Sequence, residues 1–303
     1  MGAKDPAEPR PPAAVLQRWG IAARGYLGGR ANKHWLVESG GVRLVLREYA
    51  EHPLADIAYE LEVMRRVRDL DWPVPQIVAG PEDFDGRTCC LFGWLPGEPR
   101  AEGPEEQRAR GRLLAEFHEA TAELVDMGQR AEGRLADEVV SNPDLSARLE
   151  DYERLRPVEG HVLRWHLEQA KERFAKLDLA AAERAVIHSD FAQWNLLFDN
   201  GEPSGLLDFE GTHLNYRVAD FALSWRGEHD DVIAGYRDIR ELSELDWQLL
   251  TPCYWSWLFL GVKDEIGAML AGTTPMHGFD WPVEHLLRRS PLMGEETRPY
   301  PGP

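Results

Sequence analysis

Val186-Ile187-His188-Ser189-Asp190-Phe191-Ala192-Gln193-Trp194-Asn195-Leu196-Leu197-Phe198 is followed by Asp199-Asn200-Gly201 and then by Leu206-Leu207-Asp208-Phe209-Glu210. Asn-Gly between two apolar runs predicts a β-hairpin, because both central positions of a tight hairpin turn need a positive φ. One tight loop therefore carries Asp190 and Asn195, and the strand returning from the hairpin leads to Asp208. Phosphoryl transfer from a nucleotide requires a carboxylate near the acceptor hydroxyl and hard oxygen ligands for Mg²⁺ between the phosphates. Asp190 can supply the first. Asn195 and Asp208 can supply the second, as metal ligands.

Protein kinases build the same device from an H-R-D loop with its Asn, followed by D-F-G. With H-x-D-x-x-x-x-N and then Leu207-Asp208-Phe209-Glu210, the sequence resembles the aminoglycoside phosphotransferase and choline kinase-like family of small-molecule kinases, which includes homoserine kinases. The resemblance runs from about Trp19 to Leu260. It implies an α+β, two-lobed protein-kinase-like fold with a β-rich N-lobe and a mainly helical C-lobe. It also implies Asp190 as the catalytic base and Asp220 as a brace for the loop. His188 is the second catalytic candidate, holding the loop through hydrogen bonds; a neutral His as the base is the alternative, for which Asp190 is better placed by the motif. Ser189 departs from the family's usual Gly. Glu210 is open between an indirect metal contact and a surface carboxylate.

The first hundred residues fit the same template. Apolar runs around the Gly40-Gly41 turn predict a strand meander, with Gly28-Gly29-Arg30-Ala31-Asn32-Lys33 as its first connection. By resemblance this is a nucleotide-positioning loop that uses Gly29 and Asn32; a plain β-turn explains the Gly pair equally well. Ala31 stands where a hydroxyl is common, and Arg30 or Lys33 are candidate substitutes. Arg47 takes the place of the phosphate-binding cation and Glu60 that of its helix partner, on a helix predicted over 55–69. Residues Phe92 to Trp94, after a strand through Cys89-Cys90, correspond to the linker whose backbone would meet the base of ATP or GTP.

From residue 104 the pattern is helical, with helices expected around Leu113–His118, at 145–155 and 162–177 (separated by Pro157 and Gly160), and at 218–226, 229–239 and 246–270. A Pro- and Gly-rich tail from Thr273, expected to be irregular, contains His277, Asp280 and Trp281. The aromatic run Trp247, Tyr254, Trp255, Trp257 and Phe259 has helical spacing, and core packing is its default reading. The division expected is a flexible arm at 1–18, a nucleotide-binding lobe at 19–97, and a catalytic and acceptor-binding lobe at 98–303.

The formal charge is −18, of which residues 1–97 carry −1 and residues 98–303 carry −17. This argues against nucleic-acid or anionic-membrane partners, which need a positive field. No apolar run is long enough to span a bilayer. Three cysteines without a CxxC pair suggest neither a disulfide framework nor a zinc site, and a cytoplasmic setting is the default. The expected acceptor is a small-molecule hydroxyl. An antibiotic leads, given the resemblance, the acidic C-terminal half and an Arg-to-Lys ratio of 29 to 5. The alternatives are a metabolite kinase acting on homoserine, choline or a sugar, and a nucleotide-binding pseudokinase.

Overall fold

The computed structural model describes residues 9–29, 32–50 and 53–288. The chain forms two units, residues 1–99 with 196–210, and residues 100–195 with 211–303.

The first unit begins with helix α1 (Ala13–Trp19), followed by strands β1 (Ala22–Gly28), β2 (Lys33–Ser39) and β3 (Val42–Glu48). Helix α2 (Leu54–Asp69) and strands β4 (Ile77–Phe84) and β5 (Arg87–Gly93) complete its N-terminal part. The five strands form one antiparallel sheet in the order β1-β2-β3-β5-β4. Strand side chains alternate between faces, and the register turns that alternation into rows. Trp35, Leu46 and Leu91 lie across from one another, as do Val37 and Leu44. With Val15, Ile21, Phe84 and Cys89 these residues make the buried cluster on that face.

Of the flexible arm expected at 1–18, residues 1–8 lie outside the described residues, and the remainder is not all arm. Residues 13–19 are helical, Val15 is fully buried, and Gly20 ends the helix in the left-handed conformation that glycine tolerates. Strand β4 carries Pro81, Glu82 and Asp83, a composition suited to an edge, where a missing N–H costs no ladder bond.

The second unit opens with α3 (Pro104–Ala120), α4 (Ala136–Val140), α5 (Pro143–Leu155), α6 (Pro157–Ala175) and strand β6 (Arg184–Ile187). The chain then returns to the first unit for β7 (Leu196–Asp199) and β8 (Glu202–Leu206), a hairpin whose turn residues Asn200 and Gly201 both have positive φ. Strand β9 (His213–Tyr216), paired with β6, and helices α7 (Phe221–Trp225), α8 (Asp230–Arg237), α9 (Glu244–Leu270) and α10 (Asp280–Leu287) finish the second unit.

Two expectations change in the second unit. Pro157 is the first residue of α6, where its absent N–H costs nothing, and Gly160 lies within that helix. A Cβ at Gly160 would stand 2.4 Å from Glu153 Cα, so glycine permits the close packing of α5 on α6. The tail after Thr273 contains α10 and is not irregular throughout. Helix α9 starts with a reciprocal cap between Ser243 and Asp246 and buries Trp247, Tyr254, Trp255 and Phe259. Among the described residues no helix is long and apolar enough to cross a membrane.

His166 on α6 is fully buried, with its ring edge-on to Trp165 and Trp255 and its Nδ1–H given to the Val162 carbonyl at 2.8 Å. Burial pushes its pKa down to about 4. The unfolded chain then binds the proton first, so this contribution to stability is lost as pH falls from about 6.5 toward 4. Denaturant titrations between pH 6 and 4.5 are expected to show a shallower pH dependence in His166→Gln than in the wild type. The difference should approach one proton, about 1.4 kcal/mol per pH unit.

Candidate active site

The first unit places Arg47, Glu60 and Asp208 in one cluster. Arg47 follows Leu46 on β3, so it faces away from the Trp35-Leu46-Leu91 row and toward α2. Its Nη1 donates to Glu60 Oε1 at 2.7 Å and its Nη2 to Asp208 Oδ1 at 3.1 Å. Arg47 and Glu60 are both buried, whereas the Asp208 side chain is about one third exposed. Burial opposes the charge on Arg47, but Glu60 and Asp208 outweigh it and hold the guanidinium ionised. Glu62, two residues beyond Glu60, points elsewhere and pairs with Arg65 and Arg66 on the exposed face.

Sequence reasoning missed a third partner. Arg47 Nε donates to His34 Nε2 at 2.8 Å, and His34 Nδ1 lies 3.3 Å from the Gly28 carbonyl. A signal was present: counting outward from the Gly40-Gly41 turn pairs Ser39 with Val42 and therefore His34 with Arg47.

The loop before β2 is described at Gly29 and Asn32; Arg30 and Ala31 lie outside the described residues. Gly29 has φ +134°, and a Cβ there would stand 1.8 Å from the Asn32 carbonyl oxygen, so the turn admits only glycine. Asn32 is buried, accepts from the Ala50 N–H at 2.8 Å and donates to Glu210. Glu210 thus braces the glycine turn and is not a free surface carboxylate.

Phe92 lies inside the sheet, paired with Val45 and Ile77, and its ring sits under the Arg47 guanidinium at 5.7 Å. Gly93 N–H is taken by Gln76 O, so Trp94 is the first residue past the sheet; the Arg43 guanidinium lies over its ring. Cys89 and Cys90 are buried, and burial pushes both thiols up to about 12, which suits packing and not nucleophilic attack.

The second unit holds the His188–Asn195 loop through a buried carboxylate. Asp220 accepts from the His188 N–H at 2.8 Å, the Ser189 N–H at 2.7 Å and His118 Nε2 at 3.1 Å. Burial alone would raise the Asp220 pKa, but the bond from His118 and the other donors hold it below the usual range. Burial lowers His118, which is therefore neutral: it donates to Asp220 and accepts from the Tyr236 hydroxyl, which in turn accepts from Arg217. His188 is fully buried, edge-on to Phe117 and Phe191, and its Nδ1 accepts from the Asp190 N–H at 3.3 Å. Asn195 Nδ2 donates to the Asp190 carbonyl at 2.9 Å, which leaves Oδ1, a hard oxygen, as the end able to meet a cation.

No three His, Cys, Asp or Glu side chains among the described residues come together as a metal cage. Mg²⁺ bound through phosphates needs only one or two protein oxygens, and Asn195 and Asp208 have the right donor chemistry.

The family model described as "phosphotransferase enzyme family" matches residues 22–251. The chain belongs to this family. It is a small-molecule phosphotransferase with an alcohol group as acceptor. Among its relatives, the homoserine kinase of Phenylobacterium zucineum (strain HLK1) is 26% identical over 250 residues, covering 75% of this chain and 73% of that one. A thermostable mutant of aminoglycoside phosphotransferase APH(4)-Ia, in ternary complex with ADP and hygromycin B, has a similar fold. Its TM-score is 0.64 at 17% identity, covering 90% of this chain and 95% of that one. A microcompartment-associated aminopropanol kinase gives a TM-score of 0.57 at 19% identity, covering 88% of each chain.

Ser189 has φ +70°, the conformation for which glycine is favoured, and its Cβ packs where a Cβ on Gly211 would come within 3.1 Å. Ser189→Gly is expected to be neutral or to stabilise by up to about 1 kcal/mol. Ser189→Val, β-branched at positive φ and crowded by Gly211, should cost about 2 kcal/mol or more. Chemical denaturation of both variants checks the order.

Proposed function

We propose that this phosphotransferase moves the γ-phosphoryl group of ATP or GTP to the hydroxyl of a small amine-bearing alcohol. The observation that carries the nucleotide part is the Arg47 cluster: a buried guanidinium held by Glu60, with Asp208 on its other arm. In this reading Arg47 binds the α/β-phosphates and Gly29 lets the backbone approach them. Asp190 orients the acceptor hydroxyl and takes its proton, with His188 and Asp220 fixing the loop. Asn195 and Asp208 are assigned to Mg²⁺, which when bound neutralises charge developing on the phosphates. Most of the rate then comes from positioning.

The acceptor class rests on three supports. Homoserine kinase relatives favour a metabolite over the antibiotic expected from sequence, for which the support is fold alone. Homoserine, aminopropanol and hygromycin B, the compounds named with similar proteins, each carry both an amino group and a hydroxyl. The charge of −17 in residues 98–303 favours a cationic group over a purely anionic one.

A coupled assay with Mg-ATP and Mg-GTP, run on homoserine, aminopropanol and hygromycin B, tests this reading. One of the three should exceed its counterpart lacking the amine, such as 4-hydroxybutyrate for homoserine, by about tenfold or more in kcat/KM. Preference for a neutral sugar or an amine-free acid would overturn it.

Two variants test the roles. Asp190→Asn should keep nucleotide affinity and lower kcat by roughly 10²–10⁴. Asp208→Ala should abolish the Mg²⁺ dependence of nucleotide binding measured by calorimetry.

A further inference from the structure

We propose that His34 is a positioning residue that ties the Gly28-Gly29 turn to the phosphate-binding guanidinium of Arg47. The inference rests on the phosphate role assigned to Arg47 above. His34 and Arg47 are register partners on neighbouring strands, on the sheet face opposite the Trp35-Leu46-Leu91 row. Nε carries the one N–H of the guanidinium that lies off the two-pronged end. With Nη1 on Glu60 and Nη2 on Asp208, the Nε–H on His34 fixes the third direction and hence the plane of the fork.

The bond dictates the state of the imidazole. Nε2 must be unprotonated to accept from Arg47, so the proton sits on Nδ1, which faces the Gly28 carbonyl. One neutral ring therefore accepts from the cation and donates to the backbone of the glycine turn. Burial and the neighbouring Arg47 charge lower the pKa of His34 to about 4, which keeps it in this form at neutral pH. A carboxylate at this position would accept the same N–H but add negative charge where phosphates must approach. An imidazole accepts without that charge.

A double-mutant cycle read by the Kd of Mg-AMP-PNP tests the link, with thermal unfolding confirming that each variant is folded. His34→Phe removes the acceptor and should raise Kd about tenfold, the worth of one hydrogen bond to a charged group. His34→Gln, a neutral acceptor, should stay within about threefold of wild type. In an Arg47→Ala background, His34→Phe should change nothing further. Equal effects in both backgrounds, no effect in the wild-type background, or a Gln variant as weak as Phe would overturn the proposal. If Arg47→Ala itself leaves nucleotide affinity unchanged, the phosphate role of Arg47 fails first, and that result is distinguishable from the others. Imidazole ¹⁵N NMR of the unmutated protein gives a second reading. The Nδ1–H tautomer of His34 is expected, and an Nε2–H tautomer would overturn the proposal without any variant.

Discussion

A buried guanidinium is expensive to desolvate and is kept only where carboxylates and hydrogen bonds repay that cost. Arg47 meets this condition from three directions: Glu60 on the helix after the meander, Asp208 beyond the hairpin, and His34 on the adjacent strand. The geometry of the first unit follows from that requirement. The pleat turns Arg47 away from the apolar row, α2 brings one carboxylate to that face, and residues 196–210 bring the other although they are distant in sequence. Removing either carboxylate would leave a cation under-compensated in a buried setting.

The second unit solves a different problem with the same economy. The His188–Asn195 loop leaves regular structure at Ser189, whose positive φ breaks the strand, so its backbone donors need a partner elsewhere. Asp220 satisfies two of them and is itself held by His118, which passes the chain of hydrogen bonds to Tyr236 and Arg217. A carboxylate accepting several N–H bonds stays ionised even when fully buried, and this makes Asp220 a fixed post for the loop that carries Asp190.

Local signals made much of this legible in the sequence. The Asn200-Gly201 turn, the alternation along 42–48 and the helical spacing of 55–69 lie where the structure has its hairpin, β3 and α2. Elements whose residues contradict their surroundings were not legible. Strand β4 is polar and interrupted by Pro81 because it is an edge, and α1 follows a Pro-rich start that reads as irregular. Helix α6 begins at the residue, Pro157, that reads as a break. In the site, Arg47 and Glu60 could be named from pattern, but His34 required the strand register. The bracing of Asn32 by Glu210 joins positions 178 residues apart, which no local pattern reports.

The chemistry of this chain is formation of a phosphate ester on an acceptor hydroxyl. Its most direct test is ³¹P NMR of a turnover mixture containing Mg-ATP and homoserine or another amino alcohol labelled with ¹⁸O at the hydroxyl. A phosphomonoester resonance should grow in step with ADP and carry the isotope shift of an ¹⁸O bridge to carbon, because the acceptor oxygen attacks phosphorus and its own C–O bond stays intact. ADP accompanied only by inorganic phosphate, or an ester whose bridge lacks the label, would contradict it.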